Sequence, residues 1–240
     1  MRLEVDFGNT FVKWRIVDGK AVTQRGREHL EQLDFPSLSI AEAWIGSVAS
    51  SEANAQLADK IFDTYGVRAE FAEVTENAGG VTCLYKEPVR MGVDRWLALL
   101  AARHITKTPV AVVDAGSAVT VDLLSRDGVH VGGYILPGFS MQQSALLGQT
   151  AKVRFAQVES DNQFGGNDTA SCVAAGAGLV FDGLAMSLKQ LRDNFDADAQ
   201  ILLAGGDAWR LQERLGDTKL VATVEEIVLD GLPFAKRGVI

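Results

Sequence analysis

Two short stretches of this sequence carry the side chains that phosphate chemistry needs. In DFGNTFVK, Asp6 ends an apolar run, Gly8, Asn9 and Thr10 follow as small residues and donors, and Lys13 adds a positive charge. In DAGSAVT, Asp114, Gly116, Ser117 and Thr120 repeat the arrangement 108 positions on (114 less 6). Small turn residues let backbone N–H groups approach phosphate oxygens, hydroxyl and amide side chains add donors, and a carboxylate holds Mg²⁺ directly or through its waters. Either stretch alone also reads as a hairpin around a glycine turn. Two of them at corresponding places favour a nucleotide site, with Asp6 on the metal side and Lys13 neutralising charge.

The elements that must position these residues are legible from periodicity. Leu3 to Asp6 alternates, Gly8-Asn9 breaks it, and Phe11 to Val17 resumes an extended pattern, so the first stretch is strand, tight turn, strand. Pro109 to Val113, the Gly116-Ser117 turn and Val119 to Leu124 do the same again, and Val129 to Leu136 adds a third strand. Trp44 to Val48 reads as a strand, with Ser50-Ser51-Glu52 starting a helix that runs to about Tyr65. Gly92 to Ile105 has helical spacing, Asn167 to Leu191 is long enough for an extended helix, and Ile201 to Ala204 runs as a strand into Gly205-Gly206. Alternating strands and helices give an α/β fold. The recurrence implies a duplicated domain, divided at 1–107 and 108–240.

Composition narrows the classes. With 47% hydrophobic residues over 240 positions, the chain has ample material for a packed core. A net charge of −8 argues against nonspecific attachment to nucleic acid or an anionic membrane, so an anionic ligand needs a local positive site. Cys83 and Cys172 stand far apart, with no CxxC, as structural thiols in a reducing compartment do. No run approaches the roughly 18 apolar residues needed to span a bilayer, and Glu4 and Asp6 stand where a signal peptide needs apolar residues. The expected location is the cytoplasm. There is no GxxxxGK[ST], Gly176-Ala177-Gly178 lacks the third glycine of a dinucleotide fingerprint, and His29, His104 and His130 have no metal-ligand spacing.

Taken together, the motifs resemble the actin, heat-shock chaperone and sugar kinase superfamily, and within it the type III pantothenate kinases. The resemblance runs through DFGNT, YKEPVRMGVDRW, DAGSAVTVD, GGYILPG, NDTASCVAAG, LAGGDA and LDGL in order. It implies two actin-like, ribonuclease H-like domains with mixed sheets flanked by helices, and ATP-dependent phosphorylation of pantothenate to 4′-phosphopantothenate at the start of coenzyme A synthesis. ATP with Mg²⁺, a K⁺ or NH₄⁺ ion and a homodimer come with it.

Residue by residue, Asp94 matches the family's catalytic aspartate, the base on the pantothenate hydroxyl, while its position at a helix start also suits a capping role. Gly92, Tyr85, Arg95 and Thr169 match pantothenate contacts. For Arg95 the chemistry is explicit, because a guanidinium offers a carboxylate two parallel hydrogen bonds; a structural ion pair remains the alternative. Thr169 beside Asn167-Asp168 also reads as part of a helix cap. Asp122 resembles the monovalent-cation position, or is a solvated strand carboxylate. Gly205 and Gly206 resemble the turn against adenosine, or an ordinary strand–helix turn. The chain departs from the family pattern at Cys83, where Asn is usual, at Met91, where Leu is usual, and at Ser117, where Thr is common.

Overall fold

The computed structural model describes residues 1–149, 165–216 and 218–239. In chain order the strands are β1 (Arg2–Phe7), β2 (Val12–Asp18), β3 (Ala21–Glu28), β4 (Glu42–Ser47), β5 (Ala69–Glu73), β6 (Asn77–Ala78), β7 (Val81–Cys83), β8 (Val110–Ala115), β9 (Ala118–Leu124), β10 (Val129–Pro137), β11 (Gln200–Ala204), β12 (Val221–Thr223) and β13 (Lys236–Val239). The helices are α1 (Ser51–Tyr65), α2 (Val93–Ile105), α3 (Phe139–Gln149), α4 (Thr169–Phe195), α5 (Ala208–Leu215) and α6 (Ile227–Gly231). They form two units. One comprises Met1–Ile105 with Gly128–His130 and Glu226–Ile240, and the other Thr106–Asp127 with Val131–Glu225.

The first unit is built on a sheet in the order β13-β5-β4-β1-β2-β3. β1 runs antiparallel to β2 and parallel to β4, which is parallel to β5. This register sets Asp6 between Lys13 of β2 and Gly46 of β4. Leu3, Val5, Ile16 and Ile45 on the sheet meet Leu57 and Ile61 of α1 in the core, each such buried side chain stabilising by roughly 1.5–3 kcal/mol. Ser50 caps α1 by accepting from the Ala53 amide, and Gly66, at φ +69°, ends it in the left-handed conformation that glycine adopts freely.

One charged group is buried in this sheet with its partners. Glu4 is wholly buried and accepts from Arg15 Nε at 2.7 Å, while Arg15 Nη1 reaches Glu226 at 2.9 Å and Asp230 at 2.7 Å. Burial works to lower the Arg15 pKa, but hydrogen bonds to Asp230, Glu4 and Glu226 outweigh it, and the guanidinium is held more firmly charged than usual. Through this cluster the segment that carries α6 is tied to β1 and β2.

The second unit repeats the plan. Its sheet runs β12-β11-β8-β9-β10, with β8 antiparallel to β9 and parallel to β11, and β11 parallel to β12. Strand for strand this is the order and direction of β5-β4-β1-β2, and β3 takes the place of β10, so the duplication read from the two Asp-Gly turns is present as topology. The expected mixed α/β class, with two sheets flanked by helices, is what the chain adopts.

Val113, Val121 and Leu203 of the sheet pack with Phe139 of α3, Phe181 of α4 and Leu211 of α5. By length and composition α4, 27 residues with a stretch of mean hydropathy 1.5, would suit a membrane. Its Ala174, Phe181 and Leu188 instead enter this core, and Asp182 pairs with Arg214 of α5 at 2.6 Å.

Candidate active site

In the first unit the turn after β1 is closed by the Gly8 amide donating to the Phe11 carbonyl at 3.1 Å. Asn9 and Thr10 stand exposed at its tip. Asp6 is mostly buried and lies 3.5 Å from Lys13 Nζ, so the ammonium expected to neutralise phosphate charge is already beside the metal-side carboxylate. Gly46, the strand neighbour of Asp6, has no room for a side chain, because a Cβ there would overlap Leu97 of α2. Leu97 is one turn beyond Asp94, so α2 crosses the sheet closely at the level of Asp6.

Asp94 lies inside the first turn of α2, not at its cap, since Val93 is already helical. Its Oδ1 accepts from the Arg95 amide at 2.8 Å. Gly92 leaves the Asp94 carboxylate its place: a Cβ would sit 2.5 Å from Asp94 Oδ1, so the carboxylate would have to shift. Arg95 is buried and donates from Nη1 to the Tyr85 hydroxyl at 2.8 Å. Tyr85 in turn stacks on His130, with ring centroids 5.9 Å apart and planes 17° from parallel. Gly92, Asp94, Arg95 and Tyr85 therefore form one cluster. His130, with no metal-ligand pattern in the sequence, is its buried floor.

Cys83 and Met91 touch as well, with Sγ and Sδ 3.8 Å apart. The two departures flanking this cluster are thus in contact, a pair of soft side chains filling a shared space.

In the second unit the turn between β8 and β9 repeats the closure of the first, the Gly116 amide donating to the Ala118 carbonyl at 3.0 Å. Asp114 and Thr120 are register partners, with Ser117 exposed at the tip. Two glycines from distant segments hold the turn. Gly138 donates its amide to the Ser117 carbonyl at 3.0 Å, and a Cβ on it would overlap the Gly116 and Ser117 carbonyl oxygens. Gly205, at φ +90°, follows Ala204, the β11 partner of Asp114, and a Cβ on it would overlap Asp114 Oδ1 and the Ala115 carbonyl. The Asp207 amide then donates to that Ala115 carbonyl at 2.8 Å, locking the Gly205-Gly206 turn against the end of β8.

Asp122, opposite Val112 on β9, is 2% exposed, so it is no solvated strand carboxylate. Thr169 is the first residue of α4. The cap itself is Asp168, whose carboxylate accepts from the Ser171 amide at 2.8 Å while the Ser171 hydroxyl reaches back. The Ser171 amide and hydroxyl hold the Asp168 carboxyl below its ordinary pKa. Thr169 is exposed and lines a groove of about 760 Å³ with Gln142 and Cys172.

Among the described residues no three His, Cys, Asp or Glu side chains gather as a metal site. That fits Mg²⁺, which keeps several waters and takes one or two carboxylates plus substrate phosphates. Asp6, the carboxylate at the first turn, is mostly buried beside Lys13. In each unit, then, a carboxylate-ended strand runs into a donor-lined turn, and the first unit adds a carboxylate beside a buried guanidinium.

The family model for type III pantothenate kinases matches residues 2–192. A type III pantothenate kinase of Marinobacter nauticus is 37% identical over 248 residues, all of each chain being covered. One of Pseudomonas aeruginosa is 34% identical over 251 residues, covering 98% of each. Solved structures share the fold at low identity. A conserved putative Baf family transcriptional activator of Campylobacter jejuni has a TM-score of 0.59 at 20% identity, covering 96% of this chain and 95% of its own. A putative 2-dehydro-3-deoxygalactonokinase of Sinorhizobium meliloti has a TM-score of 0.56 at 14% identity, covering 97% of each. With the motifs in order, both turns formed and full-length relatives above 30% identity, the chain belongs to the type III pantothenate kinase family.

Proposed function

We propose that this protein transfers the γ-phosphoryl of ATP to the terminal hydroxyl of pantothenate, giving 4′-phosphopantothenate and ADP for coenzyme A synthesis in the cytoplasm. Family membership supports the reaction. The observation that carries the assignment of roles is the cluster at the start of α2, where a carboxylate, a buried guanidinium and a phenol meet without a side chain at Gly92.

In this reading Asp94 orients the hydroxyl and accepts its proton as the oxygen attacks phosphorus in line, the bond to the ADP oxygen breaking as the new one forms. Arg95 takes the pantothenate carboxylate with two hydrogen bonds, while Tyr85 and Thr169 add contacts. Gly8, Asn9, Thr10, Gly116, Ser117 and Thr120 offer donors to the phosphates, with Lys13 and Asp114 beside them. Gly205 and Gly206 lie against adenosine. Asp6 would hold Mg²⁺, which would supply charge neutralisation on the transferring phosphates. Asp122 serves a monovalent cation, its burial being the support.

The working form is a homodimer. Leu179, Val180 and Met186, left exposed along α4, are an apolar surface that a second copy would cover.

Asp94→Asn tests the base. It should fold normally and keep its affinity for ATP while kcat falls by roughly 10²-fold or more. Turnover near the parent's would remove Asp94 from proton transfer. For the cation, replacing Na⁺ by K⁺ or NH₄⁺ at constant ionic strength should raise the rate, and Asp122→Ala should abolish that dependence. Equal rates in all three salts would dismiss the site.

A further inference from the structure

Just after the adenosine turn, Trp209 is a large exposed side chain that no motif accounts for. It lies in the first turn of α5, three positions beyond Gly206. Its neighbours Ala208, Leu211 and Leu215 are buried, whereas Trp209 keeps 48% of its surface exposed. A single exposed apolar residue needs no explanation in general. This one differs because its ring is held in place. The Arg210 guanidinium lies over the indole at 4.3 Å and over the Phe139 ring at 3.8 Å, and Arg210 Nε is tied to Asp207 at 3.0 Å. Phe139 and Arg210 are each 2% exposed, so the support beneath the indole is part of the core.

We infer that the open face of Trp209 is a stacking platform for the purine base of the nucleotide. The inference rests on the reading of Gly205-Gly206 as the adenosine turn. That turn is locked to the phosphate-side carboxylate: Gly205 closes on Asp114, and Asp207, which anchors Arg210, donates its amide to the Ala115 carbonyl at 2.8 Å. A nucleotide whose phosphates lie at Ser117 and whose ribose lies against Gly205 and Gly206 carries its base onward toward the start of α5. Stacking there needs no hydrogen-bond readout and little reordering, because Arg210 and Phe139 already fix the ring. The platform supplies affinity for any purine and leaves phosphoryl transfer alone.

The test uses the purified full chain with Trp209→Ala and Trp209→Phe. In Trp209→Ala the KM for ATP should rise about tenfold, equivalent to about 1.4 kcal/mol, with kcat and the KM for pantothenate within about twofold. Trp209→Phe keeps a ring and should recover most of the ATP affinity. Inhibition by tripolyphosphate, which has no base, should be the same in all three proteins. ADP should quench the fluorescence of the parent, and the quench should vanish in Trp209→Phe, whose remaining tryptophans are Trp14, Trp44 and Trp96. If the KM for ATP is unchanged in Trp209→Ala, or if tripolyphosphate inhibition weakens in step with ATP, the platform does not exist. Should Trp209→Ala unfold, the Phe variant and the ADP quench decide the same question. ADP quenching that depends on Trp209 in a protein inactive on pantothenate would uphold the platform and overturn the substrate assignment instead.

Discussion

At the scale of single residues, the role we propose for Arg95 is the one that would select the acceptor. It is buried and donates one N–H to the Tyr85 hydroxyl, and a guanidinium's planar fork matches a carboxylate with two parallel hydrogen bonds. An anionic acceptor would otherwise be buried unpaired. Arg95→Lys keeps charge and loses the fork; Arg95→Ala loses both. The kcat/KM for pantothenate should fall in both, Ala below Lys by at least roughly tenfold, about 1.4 kcal/mol. Pantothenol, with an alcohol in place of the carboxylate, should respond far less. Equal losses for the two acceptors would make Arg95 a structural residue. The sequence showed Tyr85 and Arg95 through the motif they share. It did not show His130 beneath Tyr85, because a stacking contact between a loop and a strand 45 positions later leaves no local pattern (130 less 85). Nor did it show that Cys83 and Met91, read as separate departures, are in contact.

At the scale of elements, both carboxylate-ended strands and their turns were legible, since alternation and a glycine break are local signals. What holds the second turn was not. Gly138 and Gly205 reach it from after β10 and after β11; the first was visible only as a glycine in a motif, and the second was read as part of the adenosine turn, not as a support of this one. Gly205→Ala meets two obstacles, a φ of +90° that L side chains avoid and an overlap with Asp114 Oδ1. We expect it to raise the KM for ATP by about tenfold or more while the KM for pantothenate holds, with Gly138→Ala acting in the same direction through Ser117. Steady-state kinetics at varied ATP would show this; an unchanged KM for ATP in both variants would separate the turn from nucleotide binding. The last strand, β13, pairs with β5 across more than 160 positions, and its short run, KRGV, carries no strand signal of its own.

At the scale of the whole molecule, one topology is used twice. The order β5-β4-β1-β2-β3 recurs as β12-β11-β8-β9-β10, and each copy brings one Asp-ended strand and one turn. The second copy adds the glycine turn before α5, and the first adds the cluster on α2; in the roles we propose, the copies divide nucleotide and acceptor handling between them. The most direct test of that account is to incubate the purified chain with ATP, Mg²⁺ and pantothenate in K⁺ buffer and follow the products by phosphorus NMR and mass spectrometry. We expect ADP and 4′-phosphopantothenate in equal amounts, with no phosphorylated product when a hexose replaces pantothenate. A protein that binds ATP but leaves pantothenate unmodified, or that phosphorylates the sugar in preference, would contradict it.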